Sequence, residues 1–415
     1  MNMGETHMNK SKLWTKDFTI ITVATFFVYI TFYLLMTTMT VYAIKQFSAS
    51  QGQAGLASSI FVIGTLLARI LAGKYIDVIG RRKLLFAGLI LFVIASISYF
   101  FADNLNILLV VRFIHGAVLG LAGTAMATTV MSIIPNERRG EGTGYYSLSI
   151  TLSSALGPFL GLFITQHADY NAVFTACTIF SVISIVVMLF AKIPEAKLTK
   201  EQMKSMKGFK LQDFFEKKAV PITIIGFIMG IAYSGILSYI NSYAIEINLT
   251  SAASLFFIVY SIVCLISRPI SGRLLDSKGD NTIMYPSLIS FVLGLILISK
   301  ASNGFALLLS AVLIALGYGT IYTCIQAIAI KESPKHRIAL ATSTFFIFID
   351  GGIGVGPLVI GAIIPILGFR GMYMSLAVIV SLSIILYYFV HGKKSASIKQ
   401  VSIENQVIEP ETIMN

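Results

Sequence analysis

The chain has 415 residues, 56% of them hydrophobic and 12% charged, with 31 Lys and Arg against 19 Asp and Glu and a formal net charge of +12. A typical soluble domain carries about 25% charged residues. So little charge, with a mean hydropathy of +0.83, excludes a water-facing surface for most of the chain and points to hydrocarbon as its solvent, where a helix satisfies its own backbone hydrogen bonds.

A membrane span needs roughly 20 mostly apolar residues, and twelve are predicted in chain order: 18–44, 52–75, 84–102, 105–133, 142–166, 171–191, 220–245, 251–274, 283–300, 304–330, 339–366 and 370–391. The expected fold is an all-α membrane protein with an N-terminal segment (1–17), a six-helix bundle (18–191), a polar linker (192–219), a second six-helix bundle (220–391) and a polar tail (392–415). The polar start and the length of the first span argue against a cleavable signal peptide. Cys177, Cys264 and Cys324 all lie in apolar segments without partner spacing, so neither a disulfide nor a metal site is expected.

Orientation is read from Lys and Arg in short loops. Lys10, Lys12 and Lys16 precede span 1. Arg81, Arg82 and Lys83 follow span 2, Arg138 and Arg139 follow span 4, and eight lysines from Lys192 to Lys218 occupy the linker. Arg273 and Lys278, then Lys331, Lys335 and Arg337, then Lys393, Lys394 and Lys399 continue the series on the same side. Both termini are expected in the cytoplasm. This asymmetry accounts for the net charge without a nucleic-acid partner; the lipid bilayer is the partner it implies.

The chain also repeats itself at an offset of 199 positions. Arg69, Gly73, Asp77 and Gly80 recur as Arg268, Gly272, Asp276 and Gly279; Pro135 and Arg138 recur as Pro334 and Arg337; Gly157-Pro158 recurs as Gly356-Pro357. One register held over about 90 residues marks two copies of one unit, and duplicated helical units are the build of many secondary transporters.

The run Gly73-Lys74-Tyr75-Ile76-Asp77-Val78-Ile79-Gly80-Arg81-Arg82-Lys83 resembles the loop 2–3 signature of the major facilitator superfamily. Arg112-Phe113-Ile114-His115-Gly116 resembles the family's fourth-helix motif, with His115 where Gln is usual. Gly144, Gly157-Pro158 and Gly161 resemble its fifth-helix antiporter signature, with Ser153 and Leu162 in place of two glycines. The resemblance spans 18–391 and implies a twelve-span transporter similar to bacterial drug:proton antiporters, in the plasma membrane and as a monomer. It further implies that Asp77 caps a helix N-terminus of the other half and that Arg81 pairs with Glu137, forming a cytoplasmic latch. Arg81 and Glu137 recur as Asp280 and His336, so the mirrored latch around Asp276 is expected to be weaker. The glycine-proline pairs, matched as Gly157-Pro158 and Gly356-Pro357, are expected to form a hinge or seal between halves, because proline bends a helix and glycine permits close approach; packing glycines are the plainer alternative.

Charges deep in spans are costly and mark function by default. Asp350 stands about three turns into span 11, where the first copy has Thr151. Burial favours a neutral acid unless a cation pairs with it, which suits a proton carrier. Arg112 and His115, three residues apart in span 4, are the other coupling candidates. The resemblance assigns helices 1, 4, 7 and 10 to the cavity. Tyr29 and Tyr33 on span 1, Tyr233 and Asn241 on span 7, and Tyr318, Tyr322 and Gln326 on span 10 then offer an aromatic, weakly polar lining for an amphipathic or lipophilic solute, cations included. An interfacial aromatic belt is the structural alternative.

The chain lacks a P-loop, a nucleophile elbow and metal-ligand spacing, so neither an enzyme nor a bound cofactor is expected and the energy source is an ion gradient, most simply of protons. Proton-driven efflux of a small molecule is the reading these features favour. Alternatives are export of one metabolite (a sugar, an amino-acid derivative or a metal-chelating small molecule), an uptake symporter, and a scaffold that transports nothing.

Overall fold

The computed structural model describes residues 12–49, 51–196, 199 and 214–395. Lys10, most of the linker lysines and the tail beyond 395 lie outside the described residues, as do the side chains of Asn241, Pro357 and Leu162.

Among the described residues, twelve helices are long and apolar enough to cross a membrane. The N-terminal half comprises α1 (Lys16–Phe47), α2 (Gln51–Ile79), α3 (Arg81–Ser98), α4 (Leu105–Ile133), α5 (Arg139–His167) and α6 (Tyr170–Met188). The C-terminal half comprises α7 (Val220–Glu246), α8 (Thr250–Lys278), α9 (Asp280–Ser299) and α10 (Gly304–Lys331). Its last two helices, α11 and α12, together occupy Ile338–Tyr387 and part at Gly368, whose backbone (φ 66°, ψ 177°) leaves the helical region.

The repeat in sequence is a repeat in structure. Gly80 (φ 105°) and Gly279 (φ 88°) make the same turn between α2 and α3 and between α8 and α9, in a region open to glycine and strained for other residues. Pro135 and Pro334 each open a one-turn 3₁₀ segment leading into α5 and α11. Asn104 and Asn303, again 199 apart, cap α4 and α10 by accepting from Ile107 N (3.0 Å) and Ala306 N (2.9 Å), each satisfying a donor left orphaned at a helix start.

One difference between the copies lies in α10, which widens into a π-turn over Ala315–Gly319. Such turns are frequent at functional sites. Here the wide turn sits against α8, where Cys264 Sγ closes on Gly319 and Arg268 Nε donates to the Gly319 carbonyl at 3.2 Å.

Glycine packing decides where helices meet. Gly157 and Gly161 of α5 touch Tyr33, Leu34 and Thr38 of α1, and Gly356 of α11 touches Ser234 and Ile231 of α7. Each contact is internal to one half. This corrects the expectation of a seal between halves at Gly157-Pro158 and Gly356-Pro357: α5 runs unbroken through Pro158, and these positions set spacing within a bundle. Gly144 differs, because a side chain there would meet the Arg268 carbonyl oxygen of α8 at 2.8 Å. It belongs to the contact between halves.

The basic loops share one end of the molecule, joined there by contacts such as Arg81 to the linker and Lys331 to Asp280. At this basic end the halves meet along two seams. In the α2–α11 seam, Gly73 packs on Ser343 and Ser343 Oγ donates to the Arg69 carbonyl at 2.5 Å. In the α5–α8 seam, Gly140 and Gly272 bring their backbones into contact. Beyond Thr151 the α5–α8 seam opens into an apolar cleft of about 360 Å³ lined by Leu148, Leu152, Phe159, Ile258 and Ile262. The halves are therefore closed at the basic end, and α5 and α8 part beyond Thr151.

Candidate functional site

Two arginines cross the seams at mid-bundle. Arg69 stands ten residues from the end of α2 and Arg268 ten from the end of α8, about 15 Å along each helix. Arg69 Nη2 lies 3.2 Å from Asp350 Oδ2 of α11, with side-chain exposures of 3% and 24%. The same nitrogen donates to Tyr29 Oη at 3.4 Å, and the guanidinium stacks 3.9 Å over the Phe346 ring. Arg69 Nε and Nη1 are buried and carry no hydrogen bond.

Arg268 makes the mirror contact. Its Nη1 donates to the Ser147 carbonyl of α5 at 2.8 Å and to Thr151 Oγ1. Thr151 is the repeat counterpart of Asp350. One structural position thus carries an ion pair on one side of the pseudo-twofold and a neutral hydrogen bond on the other. In the sequence Arg69 and Arg268 stood out only as markers of the repeat. The signal for a site was weak, since the predicted spans end at 75 and 274 and set both cations six residues from a helix end.

Aromatic rings surround this level. Tyr233 stacks on Tyr318 at 4.0 Å and 8°, Tyr260 lies 5.7 Å from Tyr233, and the Arg268 guanidinium sits 5.8 Å from the Tyr322 ring. Tyr33 is half-buried on α1. Gln326 is buried nearer the basic end with Nε2 unpartnered, as are the hydroxyls of Thr124 and Thr128 on α4. Unpaired buried polar groups cost about 1–3 kcal/mol each, so this row on α4 and α10 is costly to the packed interior. The side chain of Asn241 lies outside the described residues.

Arg112 and His115 sit elsewhere. Both are fully buried inside the N-terminal half. Arg112 Nε donates to the Ala57 carbonyl of α2 at 2.8 Å, and its guanidinium covers Phe61 at 4.6 Å. His115 Nδ1 is 3.1 Å from Tyr99 Oη, and its ring packs 4.3 Å from Phe92. These partners all come from the same half. The structure therefore places these two coupling candidates apart from Asp350, inside the N-terminal half.

The basic end also departs from expectation. Asp77 does not cap a helix of the other half: its Oδ1 takes Arg81 Nε at 2.6 Å, while Oδ2 is buried without a hydrogen bond. Arg81 thus turns back one helical turn rather than out to Glu137. Asp276 performs the capping instead, with its two oxygens accepting from Gly140 N at 2.7 Å and Glu141 N at 2.9 Å at the start of α5. Glu141 extends the contact by pairing with Arg138 and with Arg273 across the seam, each at 2.7 Å.

The physical reason lies four residues away. Asp77 has Arg81 at i+4 and folds onto it. Asp276 has Asp280 at i+4, a like charge it cannot pair with, so it is left for the helix N-terminus, where an anion is favoured. Asp280 turns the other way, to His391 Nε2 (2.9 Å) and Lys331 Nζ (3.2 Å).

The linker supplies two acids that no motif in the sequence singles out. Glu195 accepts from the backbone N–H groups of Arg81 (2.7 Å) and Arg82 (3.0 Å), capping α3. Glu216 pairs with Arg337 at 2.5 Å, and its N–H donates to Thr344 Oγ1. The linker is thereby tied to both halves at the closed end.

Two six-helix halves, closed at one end and joined by charge at mid-bundle, have the build of an alternating-access secondary transporter. The family model of the Major Facilitator Superfamily matches residues 21–353 and again 251–410, and the chain belongs to that superfamily. It is a transporter and not an enzyme, and a multi-pass protein of the cell membrane. It is 24% identical over 384 residues to an uncharacterized transporter of this type, MJ1560, from Methanocaldococcus jannaschii, covering 89% of this chain and 95% of that one. It is 23% identical over 340 residues to the multi-drug resistance efflux pump PmrA of Streptococcus pneumoniae, covering 80% and 84%. Among solved structures, it superposes with a TM-score of 0.72 and 16% identity on the transporter FucP in its outward conformation, covering 91% of this chain and 99% of that one.

Proposed function

We propose that this chain is a proton-driven exporter of small amphipathic or lipophilic compounds that works by alternating access, with its basic end in the cytoplasm. The observation that carries this reading is the Arg69–Asp350 pair, a charge contact between halves whose repeat counterpart is neutral. A buried ion pair is held only while both partners are charged, and a partner left alone costs about 3–5 kcal/mol. A proton on Asp350 dissolves the pair and loosens the α2–α11 seam. Loss of that proton re-forms the pair and draws the seam shut.

With the basic end inside the cell, the closed seams make this conformation outward-facing. Asp350, which keeps 24% exposure, then takes its proton from outside. The seam opens, the proton leaves to the cytoplasm, solute binds, and re-formation of the ion pair returns the loaded protein to the outward state. The fifth-helix glycine motif and the likeness to a multidrug efflux pump support export. The tyrosines around Arg69 and Arg268 support a cargo with apolar or aromatic surface.

The test uses everted membrane vesicles with a fluorescent lipophilic substrate. Asp350→Asn is expected to abolish accumulation driven by a proton gradient yet permit slower downhill exchange, because the seam then opens and closes without the pull of the ion pair and out of step with any proton. Proton-driven accumulation at the native level in that variant would remove the carrier role.

A further inference from the structure

A second cavity, of about 620 Å³, lies at the basic end between the halves and away from the mid-bundle site. Its walls come from three parts of the chain: Arg81, Asn136 and Arg139 from the N-terminal half, Glu195 from the linker, and Lys335 and His336 from the C-terminal half. Two of its cations are almost fully buried, Arg81 at 3% and Arg139 at 9% exposure.

The charges do not cancel. Arg81 is offset by Asp77 at 2.6 Å. Glu195 is the acid in the wall, and both its oxygens are already engaged by the N–H groups of Arg81 and Arg82. Arg139 commits Nη1 to the Met131 carbonyl and Nη2 to Asn136 Oδ1, which leaves part of its five-donor fork unused. Lys335 and His336 show no ion pair or side-chain hydrogen bond among the described residues. The surplus is thus positive, and its donors converge from both halves.

We propose that this cavity binds a phosphate-bearing anion that bridges the two halves in the state closed at the basic end. A phosphate group carries more than one charge and several acceptor oxygens, so it offers Arg139 from one half and Lys335 and His336 from the other more acceptors than a single carboxylate has. The cavity is level with the ends of α4 and the start of α11, the depth at which basic pockets between membrane helices take lipid headgroups. A free phosphate from the aqueous side offers the same chemistry.

Binding is read as thermal stabilisation of the purified full chain, independently of transport, so its outcome is separate from that of the export reading. Inorganic phosphate in detergent is compared with chloride at equal ionic strength, and nanodiscs of phosphatidylglycerol with nanodiscs of phosphatidylcholine. The comparison protein is a Lys335→Gln/His336→Gln double variant, altered only at side chains without partners among the described residues and so expected to fold with an unchanged baseline midpoint. A saturable rise in midpoint with inorganic phosphate, lost in the variant, supports a site for a soluble anion. A rise confined to phosphatidylglycerol, lost in the variant, supports a headgroup site. Equal shifts with phosphate and chloride together with no difference between the two nanodiscs, equal shifts in variant and parent, or no shift under any condition overturn the proposal.

Discussion

The α2–α11 and α5–α8 seams occupy equivalent places in the two copies, yet they are held in opposite ways. At mid-bundle, α2–α11 has the ion pair Arg69–Asp350 and α5–α8 the neutral Arg268–Thr151 contact. At the basic end the order reverses. Asp77 is taken up by Arg81 at the start of α3 in its own half, while Asp276 holds two N–H groups of α5 and Glu141 holds Arg273. One seam is fastened by an ion pair at mid-bundle, the other by a helix cap and a salt bridge near the surface. Duplication supplied two identical clasps, and divergence separated their roles. One kept an ion pair at mid-bundle, and the other a helix cap and a salt bridge at the basic end.

The largest effect that would break this comparison comes from Arg69. Arg69→Gln leaves the partly exposed Asp350 without its cation, and a loss of up to about 3 kcal/mol is expected, read as a lower unfolding midpoint in detergent. Arg268→Gln loses only a neutral partner and is expected to cost about 1–3 kcal/mol. Equal losses would mean that the ionic character of the α2–α11 seam is incidental.

Next comes the basic end. Asp276→Asn removes an anion from a helix N-terminus, worth about 0.5–2 kcal/mol, and is expected to slow transport measured in vesicles. Asp77→Asn should do less, because its carboxylate pairs within α2–α3. This order inverts the one the motif resemblance implies, so a larger defect from Asp77→Asn would restore the familiar latch.

The smallest expected effect is at Glu141. Arg273 is 63% exposed, and exposed ion pairs contribute about 0–1 kcal/mol. A double-mutant cycle with Glu141→Gln and Arg273→Gln should give a coupling under about 1 kcal/mol. A larger value would make this salt bridge, rather than the Asp276 cap, the main closure of its seam. Orientation itself is checked by labelling: a cysteine at Lys204 is expected to react from the cytoplasm and one at Asn248 from outside.

Much of the fold was legible because the rules are one-dimensional. Apolar length sets the spans, and the offset between Gly80 and Gly279 or Pro135 and Pro334 carries the turns from one half to the other. The site was legible only in part. Asp350 stood out as a carboxylate deep in an apolar run. Arg69 did not, because a second helix ending at residue 75 puts it near a helix end, whereas α2 continues to Ile79. Arg112 and His115 were deep enough to attract notice; burial depth does not say which side of a helix faces the partner half. The fate of Asp77 and Asp276 was written in the residues four places on, Arg81 and Asp280. Reading it required asking which partner each acid reaches first, not which motif it completes.

The π-turn of α10 makes the geometry of that helix depend on residue count. A wide turn holds one residue more than an α-turn, so everything after Gly319 is rotated by about 100° relative to an unbroken helix. Tyr322 and Gln326 therefore face the seam only because the extra residue is there. Deleting one residue between Leu316 and Gly319 should let α10 wind regularly and swing both side chains away, while leaving Asn303 capping its start and Lys331 at its end within about one residue's rise. A deletion variant that still inserts and holds substrate with native affinity would show that the cargo does not touch this stripe. Loss of substrate binding in a stably folded variant would show that the register of a single helix sets which side chains the solute meets.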